Sequence, residues 1–117
     1  MALVGDEKAG FSVDFDASAA TVRVRAWGFW SPAVAAAFCP AIETACRDRA
    51  AGLTLAMDMN ELKPMREEGQ ASFSALVTLL PRLGIAKATA TSTNQLTKLQ
   101  LLRVAAEGVK KGTIRIT

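Results

Sequence analysis

The residue types that usually carry chemistry are sparse in this chain, and their spacing excludes most reactions. There is no histidine among the 117 residues. That removes a Ser-His-Asp triad, a Cys-His pair and any imidazole acid-base step. It also leaves a zinc site dependent on carboxylates in an unusual geometry. Cys39 and Cys46 are the only thiols. On one helix they would sit roughly 10 Å apart along the axis, too far for an intrachain disulfide. They read as two small thiols packed in or near a core. No pairing of carboxylate, lysine or thiol forms a catalytic set, so the sequence points to a non-enzymatic protein with no cofactor or metal.

The charge that remains is unevenly placed. Residues 1–62 carry eight acids and five bases, and residues 63–117 three acids and nine bases, for a net charge of +3. Nucleic-acid binding would want clustered bases interleaved with aromatic platforms, but the aromatics lie mainly in the first half. A solvated basic face is the simpler reading. Half the residues are hydrophobic and about a fifth charged, the composition of one globular domain with a single core. No apolar run approaches the length of a membrane span and no leader pattern is evident, so the expected location is the cytoplasm.

The elements that position the charged residues centre on 53–84. Leu53–Met59 (LTLAMDM) is long and apolar enough for a buried strand. A turn-like NELKP follows, Asn60 to Pro64, and then MREEG leads into a helix over 70–83. Phe73, Leu76, Val77, Leu80 and Leu83 share its inner face; Glu67, Ala71, Ser74, Thr78 and Arg82 fall opposite. A strand that runs through a loop into a helix N-terminus is a common place for function in α/β folds. Acids in the first helical turn also have a structural role, since each stabilises the helix dipole by roughly 0.3–1 kcal/mol.

Before this segment, residues 1–10 read as an N-terminal arm, loose or partly docked, and 11–117 as the domain. Phe11–Asp16 and Thr21–Trp30 alternate as two strands of an antiparallel hairpin. Ser31-Pro32 starts a helix to about Ala50 with Val34, Phe38, Ile42 and Ala45 inward; Pro40 predicts a kink or break. After Gly84, Ile85–Ser92 forms a strand. Ser92 and Gln95 have capping-box spacing. The following helix, from about Thr93 to Glu107, is expected to bury Leu96, Leu99, Leu102 and Ala106, ahead of a last strand over 113–117. The order is β-β-α-β-α-β-α-β, a two-layer α/β domain with a mixed, largely parallel sheet. Arg23, Arg25, Thr54, Asp58, Lys87, Thr89 and Arg115 alternate onto one sheet face, so the helices must cover the other. The inner face would hold Val13, Val24, Leu55, Ala88 and Ile114, packed by Phe38, Phe73, Leu76, Leu80, Leu99 and Leu102. Trp30 continues that inner register. Trp27 and Phe29 fall on the open face, where the N-terminal arm (through Leu3 and Val4) or a second copy in a homodimer would cover them.

This order and one-sided sheet resemble the STAS domain, the fold of bacterial anti-sigma-factor antagonists, over nearly the whole chain. Gly28-Phe29-Trp30-Ser31 stands where the family has a Gly-acid-Leu-Asp run. Leu55-Ala56-Met57-Asp58 matches the family's central strand end, and Arg66-Glu67-Glu68-Gly69 occupies its Asp-Ser-Ser-Gly motif. Ser92 followed by Leu96, Leu99 and Leu102 matches its third helix. The resemblance implies a signalling protein whose partner is another protein, an anti-sigma factor or kinase-like regulator. The partner surface would comprise Asn60, Arg66, Glu67, Glu68, Gly69 and Ser74. The family's partner-switching members are phosphorylated at the motif's first serine, which adds about −1.5 to −2 charge. Glu67 holds that position here and carries a fixed charge, which implies a constitutive form. The alternative is a small-molecule or lipid-binding domain of the same fold, with its pocket between the sheet and the second and third helices.

Overall fold

A computed structural model describes all 117 residues. The strands are β1 (Ala2–Gly5), β2 (Gly10–Asp16), β3 (Thr21–Gly28), β4 (Leu53–Leu62), β5 (Ile85–Thr91) and β6 (Ile114–Ile116). The helices are α1 (Pro32–Cys46), α2 (Glu67–Leu79), α3 (Gln95–Val104) and α4 (Ala106–Lys111). The six strands lie in sequence order in one sheet. β1, β2 and β3 pair antiparallel, and β3 to β6 pair parallel. The expected two-layer α/β architecture with a mixed, largely parallel sheet is thus the one observed.

Alternation along the strands decides the layering. Val13, Val24, Leu55, Ala88 and Ile114 are all buried, together with Phe11, Val22, Ala26 and Met57. Arg23, Arg25, Asp58, Lys87, Thr89 and Arg115 on the opposite face are exposed. A strand offers its two faces to alternate residues, so this pattern leaves one face of the sheet to solvent. Four aromatics anchor the covered side. Phe11, Trp30 and Phe38 meet pairwise at 5.0–5.5 Å between ring centroids. Phe73 of α2 closes the cluster at 4.8 Å from Phe38 and 5.7 Å from Trp30. Trp30 is buried as expected, and its indole N–H donates to the Gly10 carbonyl at 3.0 Å, so its polar atom is satisfied.

Residues 1–10 are more ordered than an arm. Ala2–Gly5 form edge strand β1 on β2, with Ala2 and Val4 packed against the core. Asp6 closes the turn by accepting the amides of Lys8 and Ala9, and those bonds to the ionised form hold its carboxyl below the ordinary range. The turn passes so close to Gly28 that a Cβ there would lie 2.0 Å from the Lys8 carbonyl oxygen. With φ at +75°, Gly28 is doubly required to be glycine.

Three expectations about the helices need correction. Pro40 does not end α1, which is continuous to Cys46; it does stop short of Ala50. The α1 N-cap is as read, with the Ser31 hydroxyl accepting the Val34 amide at 3.2 Å. At α3 the cap is Asn94, whose side-chain oxygen accepts the Thr97 amide, and Ser92 is buried instead of forming a capping box. A different face from the expected one also turns inward. Thr97, Leu101, Ala105 and Gly108 are buried, Leu102 is half-buried, and Leu96, Leu99 and Ala106 are exposed. Thr97 can occupy the core because its hydroxyl donates to the Leu62 carbonyl at 3.1 Å. Gly108 allows α4 onto β6, since a Cβ there would lie 2.2 Å from Ile114 Cδ1.

Candidate functional site

The segment joining β4 to α2 is built differently from the turn that its polar sequence suggests. β4 continues through Asn60 and Glu61 to Leu62. Pairing with β3 steps from Arg25↔Asp58 to Trp27↔Glu61, so β4 holds one extra residue there. Such a bulge breaks strict alternation. Met59 and Leu62 are both buried, while Asn60 and Glu61 between them are exposed. Asp58 Oδ1 fixes the bulge by accepting both the backbone and side-chain N–H of Asn60, at 3.1 and 3.0 Å. Glu61 pairs with Arg25 at 2.8 Å, and the guanidinium lies 5.0 Å from the Trp27 ring centroid.

Past Leu62 the chain leaves the sheet, and α3 holds it in place. Gln100 Oε1 accepts the Met65 amide at 2.7 Å, and Gln100 Nε2 donates to the Met65 carbonyl at 3.0 Å. Gln70 Nε2 donates to the same carbonyl at 3.1 Å, and Arg103 donates to Gln70 Oε1. Thr93 reaches the Asn60 carbonyl at 3.3 Å. A loop with its backbone groups tied in this way presents its side chains in one arrangement. Met65, the anchor, is buried.

The proposed partner residues then separate by exposure. Asn60, Arg66, Glu67, Glu68 and Ser74 are exposed. Gly69 is buried, and a Cβ there would come within 3.0–3.5 Å of the Met65 side chain, so it serves close packing beneath the surface. Arg66 is the α2 N-cap residue and makes no side-chain cap bond; Glu67 and Glu68 fill the acidic first turn. The clamp residues Thr97, Gln100, Gln70 and Arg103 were not legible as site residues. Only the polar character of Thr97 and Gln100 within a leucine-rich helix hinted at them.

On the open face, Trp27 and Phe29 part company. Trp27 is half-buried, and its indole N–H donates to the Asp6 carbonyl at 2.7 Å, so the N-terminal turn engages it. Phe29 remains 64% exposed. Leu3, offered as a cover, is itself exposed.

The two thiols are free. Cys39 donates to the Ser72 carbonyl at 3.2 Å, while the Ser72 hydroxyl donates to Ala35 O at 2.8 Å, which stitches α1 to α2. Burial pushes both thiols above the ordinary cysteine value, only partly offset by Ser72 at Cys39 and Arg49 at Cys46. A raised pKa leaves less thiolate, the nucleophilic form. Alkylation by iodoacetamide at pH 8 is therefore expected to be several-fold slower than for free cysteine, and to recover the free rate on denaturation. Mass spectrometry of the labelled protein measures it; a native rate equal to that of the unfolded chain would contradict the burial argument.

Between the sheet and α2 and α3, where a ligand pocket would lie, 13 hydrophobic residues enclose only about 20 Å³. That is near the minimum for a single water.

No protein-family model matches this chain, and no curated protein matches its sequence. Among solved structures it is similar to an uncharacterised protein of the DUF3478 family from Shewanella loihica, described as having a SpoIIAA-like fold. The TM-score is 0.63 at 12% identity, over 97% of this chain and 90% of the other. With the strand order and one-sided sheet above, that likeness establishes the architecture: the chain has the SpoIIAA-like fold, which is the STAS fold.

Proposed function

We propose that this protein is a non-enzymatic STAS-like interaction domain that binds a protein partner through the Asn60–Gly69 loop and the outer stripe of α2. The observation that carries the reading is a charged, exposed helix start, Arg66-Glu67-Glu68, on a loop whose backbone is clamped at Met65. A pre-ordered surface loses little entropy on binding. Fold alone does not assign function, and the case rests on this surface. The alternative, a ligand carrier, has only a minimal apolar void to support it.

Within this reading the domain works as a constitutive form. Residues 65–70 contain no hydroxyl, so a serine kinase has no acceptor at the helix start. Glu67 supplies a permanent charge where the resemblance implies a switchable one.

The test pairs stability with binding. Affinity capture from the source cell, with wild type and Glu67→Lys compared quantitatively, identifies what depends on this charge. Glu67→Ser is then expected to lower the unfolding free energy by under about 1 kcal/mol while changing affinity for the captured protein by more, since an interface charge governs partner choice. Intact affinity with an equal or larger stability loss would reduce Glu67 to a helix-dipole charge.

A further inference from the structure

We infer that the partner surface extends onto α3, and that it fits an acidic amphipathic helix of another protein, seated on Leu96 and Leu99. The inference rests on the interaction reading above and names the partner's chemistry. Leu96 and Leu99 are 55% and 61% exposed, against the usual burial of leucine. With Gln100 and Arg103 they occupy positions i, i+3, i+4 and i+7, one stripe of the helix. Gln100 is bonded to Met65 and Arg103 to Gln70. The two leucines therefore border the clamped loop and the start of α2.

Charge selects among occupants. The chain's ion pairs are Arg23–Asp16 and Arg25–Glu61, which leaves Lys63 and Arg66 of the clamped loop and Lys98 and Arg103 of α3 without a carboxylate partner, four cations against the two acids Glu67 and Glu68 at the adjoining start of α2. α3 itself carries Lys98 and Arg103 and no acid. Packing α3 against α3 of a second copy would bring those cations together with nothing on the helix to offset them. An acidic partner neutralises them instead. Two leucines are also a narrow foothold for a membrane, whose interfacial helices bury a full apolar face. They suit the spaced anchors of a helix laid along a groove.

The test uses ¹⁵N-labelled full-length protein and a synthetic alanine-based helix of about 18 residues, with leucines at i, i+3, i+4 and i+7 and four glutamates flanking that stripe. Amides of Leu96, Leu99, Arg103 and Arg66 are expected to shift on titration. A lysine version of the peptide is expected to leave them unmoved. Leu96→Ser with Leu99→Ser should weaken binding at least about tenfold, as for loss of interface anchors, and should keep the wild-type melting temperature because both side chains are exposed. Arg103→Glu, with the leucines retained, should weaken the glutamate peptide and admit the lysine one. Absence of shifts at millimolar peptide, equal binding of both peptides, or undiminished affinity in the leucine variant overturns the inference. So does binding to vesicles of equal phosphatidylcholine and phosphatidylserine with the same leucine dependence, since that reassigns the patch to a membrane. The capture experiment with Glu67→Lys stands apart: it can fail while the peptide binds, and succeed while α3 proves irrelevant.

Discussion

Leu76→Ala is expected to lower the unfolding free energy by about 2–5 kcal/mol, the range for buried leucines truncated to alanine. Leu76 is 2% exposed on the inner face of α2, in line with Phe73 and Leu80. The apolar layer it borders, with Leu55, Ala88 and Leu101, already encloses a small void. Truncation would enlarge that void, and the surrounding side chains belong to three elements that cannot all close inward. The cost should therefore include a cavity term beyond lost transfer energy. Chemical denaturation of wild type and variant measures it, with an unchanged denaturant dependence confirming that stability alone has moved. A midpoint equal to that of wild type would mean that α2 turns a different face to the sheet.

The second large effect belongs to the clamp. Gln100→Leu keeps the side-chain size but removes the acceptor for the Met65 amide and one of two donors to its carbonyl. The carbonyl retains Gln70, whereas the amide loses its side-chain acceptor in a part-buried place. Leaving such a group unmatched costs about 1–3 kcal/mol. The global loss is expected in that range, and hydrogen exchange at Met65 should accelerate more than exchange in the β3–β4 ladder. Gln100→Glu offers an internal comparison, since a carboxylate can still accept from the amide but cannot donate to the carbonyl. A Gln100→Leu protein with unchanged Met65 protection would show that the loop is held by β4 and α2 without α3. Partner binding should weaken in the same variant, because the charged helix start would no longer be held in one arrangement.

Local order and layering followed from the sequence because they depend on short-range patterns. Alternation across Phe11–Asp16, Thr21–Trp30 and Leu53–Met59 identified the covered and open faces, and the Ser31-Pro32 pair marked the start of α1. The outer stripe of α2, with Glu67 and Ser74, followed from helical period alone. Three features depended on contacts between distant residues and were decided only in the tertiary structure. The polar Asn60-Glu61 pair looked like a turn, but its place in β4 requires the bulge opposite Arg25 and Trp27. The inner face of α3 looked like its leucine stripe. Its actual face is chosen by the bond from Thr97 to the Leu62 carbonyl and by Gly108 against Ile114. Residues 1–10 lacked the composition of a core strand, and acquired order by pairing with β2 and receiving the Trp27 indole. Periodicity reports what one element can bury. Which carbonyl meets a buried hydroxyl, and which edge completes a sheet, is settled when the elements are brought together.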